Sequence, residues 1–150
     1  MKTPRLAGGW RYLPLLLLPC AALADDGHDL SFQGDASFQG PHGGQAIEAA
    51  LVDADSGEVL ARQDGSVSAE DDPAFVLDFP GALQEGRGYE VHYWIDSNFG
   101  GGSEGACDPM EHDHQWRVTL DEADEADEAV THVEDHDPGR MTEACSTFME

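Results

Sequence analysis

The chain has 150 residues, and 31 Asp plus Glu against 7 Lys plus Arg leave a formal charge of −24 at pH 7. That length suits a single domain. So few cations exclude a nucleic-acid reader, which needs a basic face against phosphate, and disfavour an anionic membrane surface for the same reason.

Lys2, Arg5 and Arg11 precede an apolar run over residues 13–24 that closes on Ala22, Leu23 and Ala24. A cationic start, a short apolar core and a small-x-small end form the pattern of a secretory signal peptide, with cleavage expected after Ala24. About 12 apolar residues broken by two prolines are too few to cross roughly 30 Å of hydrocarbon, so no membrane insertion is expected after cleavage. Pro19 is a poor neighbour for lipid modification of Cys20. The mature chain is therefore expected to be periplasmic or secreted. All 31 acids lie beyond Ala24, where Arg62, Arg87, Arg117 and Arg140 are the remaining cations, so the mature charge is −27 with no lysine. Such a surface repels itself until salt screens it, which suits a halophilic setting. Cys107 and Cys145 are the thiols left for an oxidising compartment, and a disulfide between them is expected.

Leu, Ile, Val and Phe supply only 22 of the 126 residues after Ala24, a fraction that with this charge would suit disorder. Their distribution argues for order. Residues 30–38 and 46–52 read as strands, with Ile47, Ala49 and Leu51 sharing a side in the second. A turn over 53–57 returns the chain along 58–62. Phe75, Leu77 and Phe79 share one face of the next strand, and Pro80 and Gly81 begin the turn region that ends at Gly88. Tyr89, Val91, Tyr93 and Ile95 then share a face over 89–96, and 114–120 forms a further strand. Residues 121–137 allow two readings. Ala123, Ala126, Val130 and Val133 recur at helical spacing, but an acidic loop over 121–129 followed by a closing strand at 130–134 is preferred. About seven short strands predict an all-β, antiparallel sandwich over 25–138, with an acidic C-terminal extension whose tail, 139–150, is pinned by Cys145.

The residues that could carry chemistry gather between strands. Asp96, Asn98, Glu104 and Asp108 offer oxygen ligands in a glycine-rich loop, which suits a hard cation such as calcium without EF-hand spacing. His112 and His114 flank Asp113. On a strand both would project to one side, roughly 7 Å apart, and converge on zinc or copper. His42 is the leading third ligand and His92 a second candidate, while Asp113 would point away to pair with Arg117 or Arg87. His132 and His136 are four apart, which suits one helix face but not one strand face, and they read as solvated. The chain has no Gly-x-Ser-x-Gly elbow and no mature lysine for a phosphate loop, so no enzyme is expected.

Phe79-Pro80-Gly81-Ala82-Leu83, Gly88-Tyr89-Glu90-Val91, Ile95-Asp96-Ser97-Asn98 and Asp113-His114-Gln115-Trp116-Arg117, with the earlier Pro41-His42-Gly43-Gly44-Gln45, form a pattern over about residues 28–120. It resembles small exported proteins of transthyretin-like or immunoglobulin-like form. The resemblance implies a β-sandwich of largely unassigned role, and no activity. Here Gly100 to Gly105 replaces a tighter Asn-Gly turn. The expectation is a non-enzymatic binding or accessory domain whose partner is a divalent metal (zinc, copper or calcium) at the 96–114 loop, or another protein. The competing readings are a copper/zinc metalloenzyme using His42, His92, His112 and His114, and a structural or adhesion module without a ligand.

Charge generates the first test. The thermal midpoint of the mature protein should rise between dilute buffer and about 1 M salt, where the Debye length is roughly 3 Å. A midpoint that stays flat or falls over that range would contradict self-repulsion as the dominant surface effect.

Overall fold

A computed structural model describes residues 27–121 and 128–149. The expected signal segment and residues 122–127 of the acidic stretch lie outside the described residues. Seven strands run in chain order: β1 His28–Gly34, β2 Ala46–Asp53, β3 Val59–Ser66, β4 Phe75–Leu83, β5 Tyr89–Ile95, β6 His114–Thr119 and β7 Val130–Glu134. They form an all-β sandwich of a three-stranded sheet, β4-β1-β7, and a four-stranded sheet, β3-β2-β5-β6. Neighbours are antiparallel except β1 and β7, which run parallel with Leu30 opposite Val130. The closing strand thus lies at 130–134 as expected, but it runs parallel to β1 where an antiparallel sandwich is expected.

Alternation explains the core. Phe75, Leu77 and Phe79 from β4 pack with Leu30 and Phe32 from β1 against Ile47, Ala49 and Leu51 from β2 and Tyr89, Val91, Tyr93 and Ile95 from β5. Phe32 lies at its centre, with its ring centroid 5.2 Å from Tyr93 and 6.0 Å from Phe75, and Tyr93 stacks on Trp116 of β6 at 4.9 Å. Aromatic burial of this kind supplies much of the stability in a chain so poor in aliphatic residues.

Two local departures have physical causes. The first strand stops at Gly34 instead of reaching Phe38, because the Asp35 carboxylate accepts the Ser37 N–H at 2.8 Å and turns the chain. A 3₁₀ turn over Ala36–Phe38 follows, and then a short helix, α1, Gln39–His42. Conversely, Pro80 and Gly81 lie inside β4. This edge strand needs no N–H from a proline, and Gly81, at φ +61°, sits across from the register shift between His28 and Leu30.

The C-terminal residues do not hang from one pin. Gln115 is fully buried, and its Oε1 accepts the Ala144 and Cys145 N–H groups at 2.6 and 2.9 Å. Beyond it the chain crosses the outer face of the second sheet. There Arg62 donates to the Thr147 carbonyl at 2.9 Å, His92 Nδ1 meets Thr147 Oγ1 at 2.7 Å, and Phe148 packs 6.3 Å from Trp94. Cys107 and Cys145 form a disulfide that closes a separation of 38 residues. Replacing both cysteines by serine should cost on the order of 2–4 kcal/mol. Denaturant melts of the parent and the double variant check this, and equal midpoints would show that the non-covalent contacts hold the tail without the disulfide.

Candidate metal centre

Three histidines from three parts of the chain meet at one end of the sandwich. His42 is the last residue of α1, His114 the first of β6, and His136 lies two residues beyond β7. His42 Nε2 is 3.0 Å from His114 Nδ1 and 3.1 Å from His136 Nε2, and the last two atoms are 3.4 Å apart. His42 is wholly buried and the other two are half-buried.

Each ring is placed by its backbone. After α1, Gly43 and Gly44 reverse the chain, Gly44 at φ +86°, so that Gln45 returns beneath His42. Gln45 Oε1 accepts from His42 Nδ1 at 2.7 Å, which leaves a lone pair on Nε2 facing the cluster. His136 is anchored by its own N–H to Ser37 Oγ at 2.8 Å, and the next carbonyl, of Asp137, accepts the Trp116 indole N–H at 3.0 Å. Arg140 holds the same turn through Asp135 and Asp137. His114 is set by the loop before it. The buried Asp113 carboxylate accepts the Ser97 and Asn98 N–H groups at 3.0 Å each and the Asp108 N–H at 2.9 Å.

Burial favours the neutral form of each ring. Burial pushes the His42 imidazole down to about 4, against the Gln45 hydrogen bond, and the neighbouring His114 and His136 lower it further. Burial also lowers His114, aided by His136 and opposed by Asp113. It lowers His136 against the opposing charges of Asp137 and Asp135. Neutral imidazole is the form that ligates metal. Zinc held tetrahedrally at 2.0–2.1 Å from nitrogen requires ligand separations of about 3.3–3.4 Å, close to those seen here. Ring walls complete the site. Phe38 and Trp116 are buried beside it, with centroids 5.4 and 5.8 Å from His136, and the half-exposed Phe99 lies 4.9 Å from His114.

The other anticipated residues lie elsewhere. His112 does not share a strand face with His114, because β6 begins only at His114 and His112 sits in a turn whose N–H reaches the Pro109 carbonyl at 2.8 Å. Its Nδ1 meets the Phe99 carbonyl at 2.9 Å. Asp113 pairs with backbone and not with arginine; Arg87 pairs with Asp53 and Arg117 with Glu143. Asp96 accepts Asn98 Nδ2 at 2.6 Å and the Gly105 N–H at 2.7 Å, and Asp108 accepts the Ser103 N–H. These oxygens organise the loop and are not among the atoms that converge with the histidines. Asn98 Oδ1, buried without a hydrogen-bond partner, faces Gly102, where a Cβ would lie 2.7 Å from it and from Asp108 Oδ2. His92 lies between Thr147 and Glu90, 2.8 Å from the latter, under the tail.

His136, which the sequence places on a solvated stretch, is the third member of the cluster. Strand spacing from His132 does not reach it, since β7 ends at Glu134. Its acidic neighbours Asp135 and Asp137 mimic a surface stretch. No protein-family model matches the chain, and no curated protein matches it in sequence.

A histidine with a depressed pKa binds protons more weakly in the folded protein than in the unfolded chain. The stability it contributes is present above about 6.5, its ordinary value, and is lost as pH falls through about 4. Without added metal, urea midpoints of the parent should fall relative to those of His42→Gln between pH 7 and 4. Carboxylate repulsion changes equally in both proteins, so parallel pH profiles would remove the buried neutral imidazole.

Proposed function

We propose that this protein is an exported, non-enzymatic domain that holds a divalent transition metal, zinc or copper, through His42, His114 and His136. The observation that carries the reading is the convergence of three imidazole nitrogens to 3.0–3.4 Å of one another. Gln45 sets His42 Nε2 as an acceptor, and a cation between the rings would take up the lone pairs of three neutral imidazoles at once. Nitrogen donors favour zinc and copper over calcium, which takes oxygen. The surrounding rings of Phe38, Phe99 and Trp116 shield a metal and carry no acid or base for catalysis. A disulfide between Cys107 and Cys145 is compatible with the oxidising compartment that an export signal implies.

Titration calorimetry with zinc and copper at pH 7.5 tests the proposal. The parent should take up one equivalent of metal. His114→Ala and His136→Ala should each lose at least about tenfold in affinity, as removal of a ligand or of its close support does. His112→Ala should match the parent. Parent-like affinity in His136→Ala, or no uptake by the parent, would overturn the reading.

A further inference from the structure

The cluster supplies three nitrogen donors, and three aromatic rings stand around it. A metal lying in the plane of three nitrogens at 2.0–2.1 Å would need them about 3.5 Å apart. At 3.0, 3.1 and 3.4 Å they are too close for that. Their spacing is nearer to three corners of a tetrahedron, so a metal held by the three rings would leave a fourth position to another ligand. Phe38 and Trp116 are essentially inaccessible and pack 6.0 Å from each other on the interior side. Phe99 is the wall in contact with solvent, 41% exposed, with its ring 4.9 Å from His114 and 5.9 Å from His42.

Phe99 is an unusual residue to find there. It belongs to no strand and no core cluster, and it stands at the entrance to a run of glycines on a strongly acidic surface. Its backbone is nonetheless gripped from both sides. Its N–H donates to the His112 carbonyl at 2.9 Å, and its own carbonyl meets His112 Nδ1 at 2.9 Å. The preceding Asn98 adopts φ +50°, and its N–H is held by Asp113. The loop thus fixes an exposed aromatic ring over two of the three imidazoles.

We propose that Phe99 is the shutter of the site: its ring covers the fourth coordination position and sets how readily small ligands and chelators reach the metal. This rests on the metal-binding reading above.

The test uses copper(II)-loaded protein, with stoichiometry measured first and azide and EDTA as probes. Phe99→Ala should raise azide affinity and the rate of copper extraction by EDTA by about 10–100-fold, the range over which surrounding groups tune a metal site. Phe99→Trp, which keeps a ring in place, should stay near the parent. Both substitutions are charge-neutral, so repulsion of the anionic probes is the same in all three proteins. Phe99→Ala that holds copper on three nitrogens by electron paramagnetic resonance, yet binds azide and yields copper at parental rates, overturns the shutter alone. A parent that takes up no copper overturns the metal reading and the shutter together, and the first measurement tells these failures apart.

Discussion

Among the described residues of a chain with 31 acids, Asp113 is the carboxylate wholly withdrawn from water, and three backbone N–H groups close on it. Asp113 gathers Ser97, Asn98 and Asp108, and bonds of this charged kind are stronger and more directional than amide–amide bonds. The long connection between β5 and β6 is thereby folded around one point. Phe99 follows directly from Asn98, Cys107 precedes Asp108, and His114 follows Asp113 as the first residue of β6. The shielding ring, the disulfide and a candidate ligand all take their positions from the same carboxylate.

Alternation along β6 then divides the labour between its two faces. His114 and Trp116 look into the end of the sandwich and join the histidine cluster and the aromatic core. Gln115 looks the other way, where its amide donates to the Asp108 carbonyl at 3.0 Å and accepts from the tail. The tail is also the continuation of the turn that carries His136. Loop, strand and tail are therefore coupled through short, buried polar contacts, and the geometry of three imidazoles is held by elements distant in sequence.

Charge works at longer range. The four arginines beyond Ala24 are each engaged with acids: Arg62 with Glu48, Arg87 with Asp53, Arg117 with Glu143, and Arg140 with Asp135 and Asp137. With 31 acids against these four arginines the field beyond Ala24 is acidic, and such a field concentrates cations near the protein. If the histidine cluster holds a metal as proposed, that field would gather cations and the nitrogen donors would select among them.

The sequence by itself determined the strands and their inward faces, because a period of two leaves a direct trace: Phe75, Leu77, Phe79 and Tyr89, Val91, Tyr93, Ile95 are buried as their alternation requires. It also singled out His42 and His114 as candidate ligands and paired Cys107 with Cys145, since the residue types alone restrict the chemistry. Tertiary structure decided the rest. Whether His112 or His136 stands with the other two depends on where β6 begins and where the chain turns after β7. Hydrogen bonds between distant residues set both points, through Asp113 to the loop amides and through Ser37 to His136. Local periodicity carries no record of such bonds, because neither partner's neighbours in sequence reveal which group will come to meet it in space.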